Sequence, residues 1–97
     1  MKKRIIEALK KCAKAHKVEC NVYDEDENDV QVAIMSDKIP VVADVRMIVE
    51  AFYGRYRPMV TVDHSWGYVN VLLDYMPMRA EVDEDLLAMA LPYGTRI

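Results

Sequence analysis

Apolar residues along the chain recur at helical spacing in three stretches and at every second position in four others. In residues 3–16, Ile5, Ile6, Leu9, Cys12, Ala13 and His16 share one face, and Lys3, Lys10, Lys14 and Lys17 fall opposite. That spacing predicts an amphipathic helix. Val18 to Tyr23 alternates, with Val18, Cys20 and Val22 on one side, and Val30 to Met35 alternates with Val30, Val32 and Ile34 in register. Both stretches predict strands. Between them Asp24-Glu25-Asp26-Glu27-Asn28-Asp29 reads as a hairpin loop, because Asn and Asp tolerate the left-handed backbone of a tight turn. Ser36-Asp37-Lys38 ends the second strand. Pro40 suits a first helical turn. Asp44 is a second candidate N-cap, which would leave Ile39 to Val42 extended. Val45, Ile48, Val49 and Phe52 form a second helical stripe, and Gly54 is a natural stop. Met59 to Asp63 and Tyr68 to Tyr75 predict another hairpin around His64-Ser65-Trp66-Gly67. Asp83 caps a short last helix with Leu86, Leu87, Ala90 and Leu91, closed by Pro92 and Gly94.

These elements make a helix–hairpin unit used twice, over about 3–36 and 40–75, with a third helix at about 83–91. A shift of 39 lays Val30, Val32 and Ile34 on Val69, Val71 and Leu73, and Ile6, Leu9 and Ala13 on Val45, Ile48 and Phe52. The first strands need a shift of 40, with Cys20 and Val22 on Val60 and Val62, so the second hairpin loop reads one residue shorter. The match is one of hydrophobic pattern. Four strands with one apolar side each need one covering layer, which three amphipathic helices provide. The expected fold is α+β: a two-layer sandwich of order α-β-β-α-β-β-α. Its four-stranded, mainly antiparallel sheet is covered on one face, and residues 1–97 form one domain. The other sheet face would carry Asn21, Tyr23, Gln31, Ala33, Met35, Thr61, Asn70 and Leu72. Mixed and moderately apolar, it suits a partner or a homodimer.

Charge is unevenly spread. The net charge is −3, yet residues 2–17 hold seven of the thirteen Lys and Arg against one acid, Glu7. From Glu19 to Asp29 six acids stand without a base. A basic helix beside an acidic loop points to a charged partner. The start, Met1-Lys2-Lys3-Arg4, is followed by Glu7, Lys10 and Lys11 rather than an apolar signal region. No run approaches the ~20 apolar residues of a membrane span. With Cys12 and Cys20 read as free thiols, the expectation is a cytoplasmic protein without a membrane partner.

No motif specifies a reaction. Asp24, Asp26 and Asn28 match the first three ligand positions of an EF-hand loop, but Asp29 stands where Gly is needed and Met35 where Glu is needed. Cys12, His16, Cys20 and His64 are zinc-ligand types without a Cys-x₂₋₄-Cys knuckle, so the thiols read as core and His16 as the core's edge. Asp63-His64-Ser65 holds an acid, a base and a hydroxyl too close in sequence to orient one another. The three glycines are isolated, which removes a phosphate-binding loop. Catalysis, cofactor and metal are therefore not expected.

The loops carry the functional signal. Trp66 stands at a hairpin tip between His64 and Tyr68, and Trp, Tyr and Arg dominate interface hot spots. Arg55, Tyr56 and Arg57 interleave aromatic and guanidinium groups. The expected function is a small non-enzymatic protein-interaction module or inhibitor, of the size and charge also seen in phage and mobile-element proteins. It would bind through Trp66, Tyr68, His64, Arg55, Tyr56 and Arg57, with Asp24, Glu25, Asp26 and Glu27 steering toward a basic partner. The alternative is nucleic-acid binding by Lys3, Lys10, Lys14, Arg55 and Arg57.

Overall fold

A computed structural model of the chain describes residues 2–26, 29–54, 58–73 and 78–90. Its elements are α1 (Lys2–Ala15), β1 (Cys20–Asp26), β2 (Asp29–Ile34), α2 (Ile39–Tyr53), β3 (Met59–Asp63), β4 (Tyr68–Leu73) and α3 (Glu84–Ala90). The sheet is antiparallel throughout, in the order β1-β2-β4-β3. The fold is therefore the expected α+β sandwich.

Alternation explains the core. Ladder partners line up as two apolar rows across the sheet, Cys20–Ile34–Val69–Val62 and Val22–Val32–Val71–Val60. Against them pack Ile5, Ala8, Leu9 and Cys12 of α1, Val45, Ile48, Val49 and Phe52 of α2, and Leu87 of α3. Full burial of one such side chain is worth roughly 1.5–3 kcal/mol, so these rows decide which sheet face the helices cover.

Helix ends follow local chemistry. Val18 N–H donates to the Ala13 carbonyl at 3.0 Å and Lys17 N–H to the Lys14 carbonyl at 3.0 Å. Lys17 takes a left-handed φ of 58°. Together these form a Schellman stop, so α1 ends at Ala15 and His16 lies in the turn beyond it. Helix α2 starts at Ile39 with Pro40 in its first turn and Lys38, not Asp44, at the N-cap. Asp44 is thus a residue of the helix body, and the extended reading of 39–42 is corrected. Gly54 closes α2 at φ 63°, its N–H bonded to the Glu50 carbonyl at 2.7 Å. Two more α2 carbonyls, Phe52 and Ala51, accept from the N–H groups of Arg79 and Asp83 at 2.8 and 2.9 Å. The segment before α3 is thereby pinned beneath α2. Arg4 then ties α1 to α3, 2.7 Å from a Glu84 oxygen with its guanidinium 5.8 Å above the Phe52 ring.

Two expectations about the hairpins are revised. Asp24–Asp26 continue β1 and Asp29 begins β2, with Asp24 opposite Val30 and Asp26 opposite Asp29 across an irregularity. The acidic stretch is therefore largely strand backbone, because ladder pairing outweighs the weak strand preference of acids. Val22 stands opposite Val32, and Val60 opposite Val71. Since Val32 and Val71 are overlaid equivalents, Val22 corresponds to Val60, a shift of 38 rather than 40. The second connection is one residue longer, not shorter. A period of two cannot distinguish these shifts, and only pairing sets the register.

Candidate functional site

The uncovered sheet face is built from three rows. The middle row, Asn21–Ala33–Asn70–Thr61, is small or polar. On one side stands Tyr23–Gln31–Leu72–Met59, and on the other Tyr68 pairs with Asp63 beside Met35. A low row between two tall ones makes a groove running across the strands. It measures about 310 Å³ and is lined by Tyr23, Gln31, Ala33, Met35 and Tyr68. Ala33 is its floor. Asn70, the ladder partner of Ala33, holds a buried side-chain oxygen with no hydrogen-bond partner among the described residues.

Large apolar side chains surround this groove in water. Tyr23 is 50% exposed and Met59 63%, and Met35 is exposed as well. Trp66, in the turn between β3 and β4, is 78% exposed. Its turn is ordered by Asp63, whose Oδ1 accepts from Ser65 N–H at 2.9 Å and Trp66 N–H at 3.2 Å, while the Asp63 carbonyl accepts from Gly67 N–H at 2.8 Å. Gly67 supplies the left-handed φ of 68° that the turn requires. His64 Nδ1 lies 3.2 Å from Asp37 Oδ2, which sets the tip beside the β2–α2 connection. Exposed Met35 and Ile39 flank that connection, so three exposed apolar side chains, Met35, Ile39 and Trp66, belong to this end of the sheet, while Tyr23 and Met59 stand at the other.

The residues expected at the site divide accordingly. Trp66 and His64 stand in the β3–β4 turn, and Tyr68, at the start of β4, lines the groove. Asp24, Glu25 and Asp26 lie along β1 just beyond Tyr23. Arg55, Tyr56, Arg57 and Glu27 fall outside the described residues. Lys3, Lys10 and Lys14 are exposed on α1, but Glu7 shares their stripe and lies 3.7 Å from Lys10. Ala33 and Met35 fall on the sheet face expected to suit a partner, whereas Met59 and Asp63 carry no binding expectation from the sequence. A small residue between larger ones on a strand's outer side was the available signal.

A second cluster lies at the seam of α1 and α2. His16 Nε2 donates to Asp44 Oδ2 at 2.7 Å, and both side chains are 18% exposed. Cys12, one turn before His16, is fully buried beside them. Burial, the Asp44 charge and Cys20 push its thiol up to about 12. Cysteine, histidine and aspartate are also the members of a hydrolytic triad, but here Cys12 is fully buried, away from any substrate in solution. Asp44 was read as a cap, so only the packing of two helices reveals this group.

Among the described residues no helix is long and apolar enough to cross a membrane. In comparisons with known proteins the chain matches no family model, no curated protein and no solved structure.

Proposed function

We propose that the protein is a non-enzymatic interaction module, an adaptor or inhibitor, that holds another protein against the open face of its sheet. The observation carrying this reading is Trp66, 78% exposed on the ordered turn that leads into Tyr68 of the groove wall. Exposed aromatic and Met side chains around a concave apolar floor suit a partner's inserted side chain. The acids Asp24, Glu25 and Asp26, which follow Tyr23 on β1, favour a partner with basic residues flanking that insert.

The test uses a photo-reactive residue in place of Met35 on the groove wall, or of Lys10 on α1, in the native host. A partner is expected to cross-link from position 35 and not from position 10. Trp66→Ala and Ala33→Leu, the second filling the groove, should each abolish that capture. Trp66→Ala should change unfolding free energy by no more than about 0.5 kcal/mol, as for an exposed side chain. A loss of roughly 3–5 kcal/mol would make Trp66 a core residue and defeat the proposal. Capture that follows Lys3, Lys10 and Lys14 instead would also defeat it.

A further inference from the structure

The α1–α2 seam gathers three residue types that ligate transition metals. Cys12 Sγ, a ring nitrogen of His16 and a carboxylate oxygen of Asp44 lie within 4.8 Å of one another. We propose that Cys12, His16 and Asp44 form a binding site for a divalent cation of the zinc type. This inference is independent of the open sheet face and shares no residue with it.

Ligand chemistry comes first. Thiolate, imidazole and carboxylate are the donors zinc takes, with bonds of about 2.3, 2.0 and 2.1 Å. A tetrahedral ion holds such donors roughly 3.4–3.6 Å apart. The three atoms already lie near that triangle, and closing on an ion requires shifts of about 1 Å. The hydrogen-bonded His16–Asp44 pair must open, and the thiol must approach.

The scaffold suits that movement. Cys12 and His16 stand four residues apart, so one helical turn presents both on one side. Asp44 comes from the body of α2, packed against α1. The cation would therefore crosslink two helices. His16 and Asp44 retain slight exposure, which provides a path from solvent and a fourth position for water. Cys20 lies outside the triangle.

Charge balances as well. Binding replaces the Cys12 S–H bond with a sulfur–metal bond and releases that proton to water, while the proton that His16 Nε2 donates to Asp44 moves to Nδ1, so that the neutral imidazole offers Nε2 to the ion. One thiolate and one carboxylate then cancel the double charge of the cation. A neutral assembly is what a half-buried seam tolerates, whereas an isolated buried charge is costly.

The test is a titration of the chelator-treated chain with Co²⁺, read by its thiolate-to-cobalt charge-transfer absorption. One equivalent should produce the band, and Zn²⁺ should abolish it by displacement. Cys20→Ala should keep the band. Cys12→Ala, His16→Ala and Asp44→Asn should lose it, with circular dichroism confirming that each is folded. Absence of the band in the wild-type chain at excess Co²⁺ overturns the proposal, whatever the variants do. A band that survives in Cys12→Ala, or disappears in Cys20→Ala, overturns it too.

Discussion

Lys17 occupies a backbone position where glycine is usual. Its φ of 58° closes the Schellman turn after α1, and a side chain there costs roughly 1–2 kcal/mol through contact of Cβ with the backbone. Val18 repays part of this by packing on the core one residue later. Lys17→Gly should accordingly raise unfolding free energy by about 1 kcal/mol, measured by urea denaturation. No change would mean that the turn holds Lys17 without strain. At the same scale, nothing in the residues around Asp44 distinguished a helix cap from a helix-body residue facing His16. The difference rests on where α2 begins, and Pro40 decided that.

Among the elements, helices, β3 and the apolar strand positions were legible because their periods are strong. Strand ends in the acidic run were not. Asp24–Asp26 have little strand preference, and their place in β1 comes from pairing with β2. The turn between β3 and β4 shows the opposite case. There Asp63, which the sequence marks as a strand end with no role in the turn, organises the backbone that presents Trp66. Asp63→Ala should lower stability by about 1 kcal/mol, as loss of a comparable side-chain cap does. Asp63→Asn, which keeps an acceptor oxygen, should lose less. Thermal or urea unfolding of the two variants checks this, and equal losses would assign the effect to charge rather than to hydrogen bonding.

On the scale of the whole molecule, burial sets the response to alkali. Desolvation raises the Cys12 thiol from 9.0 to about 12 and also raises Cys20 and Tyr53. Below pH 9 the folded and unfolded chains both keep the Cys12 proton, and its contribution to stability is fully present. Above pH 9 the unfolded chain releases that proton while the folded chain retains it. Stability should fall by about 1.4 kcal/mol per pH unit from this group alone, a loss that ends as pH passes about 12. Urea titrations at pH 8 and pH 10.5 in the presence of chelator measure the slope. Cys12→Ala, though less stable at both, should show a shallower one; an unchanged slope would place the pH effect elsewhere.

The sequence by itself determined the order of elements, the apolar face of each strand and the helical stripes that cover them. Each of these depends on local periodicity, which a chain carries wherever it folds. It also marked Trp66 as a tip residue. The tertiary structure alone decided three things. It set the register of the second hairpin, because side-chain alternation repeats every two residues and pairing does not. It formed the groove over Ala33, because that floor and its walls come from three strands, two of them brought together by β2–β4 pairing. It joined Asp44 to Cys12 and His16, because the two helices meet only in the folded core. Sites made by distant segments depend on packing, and packing has no period to read.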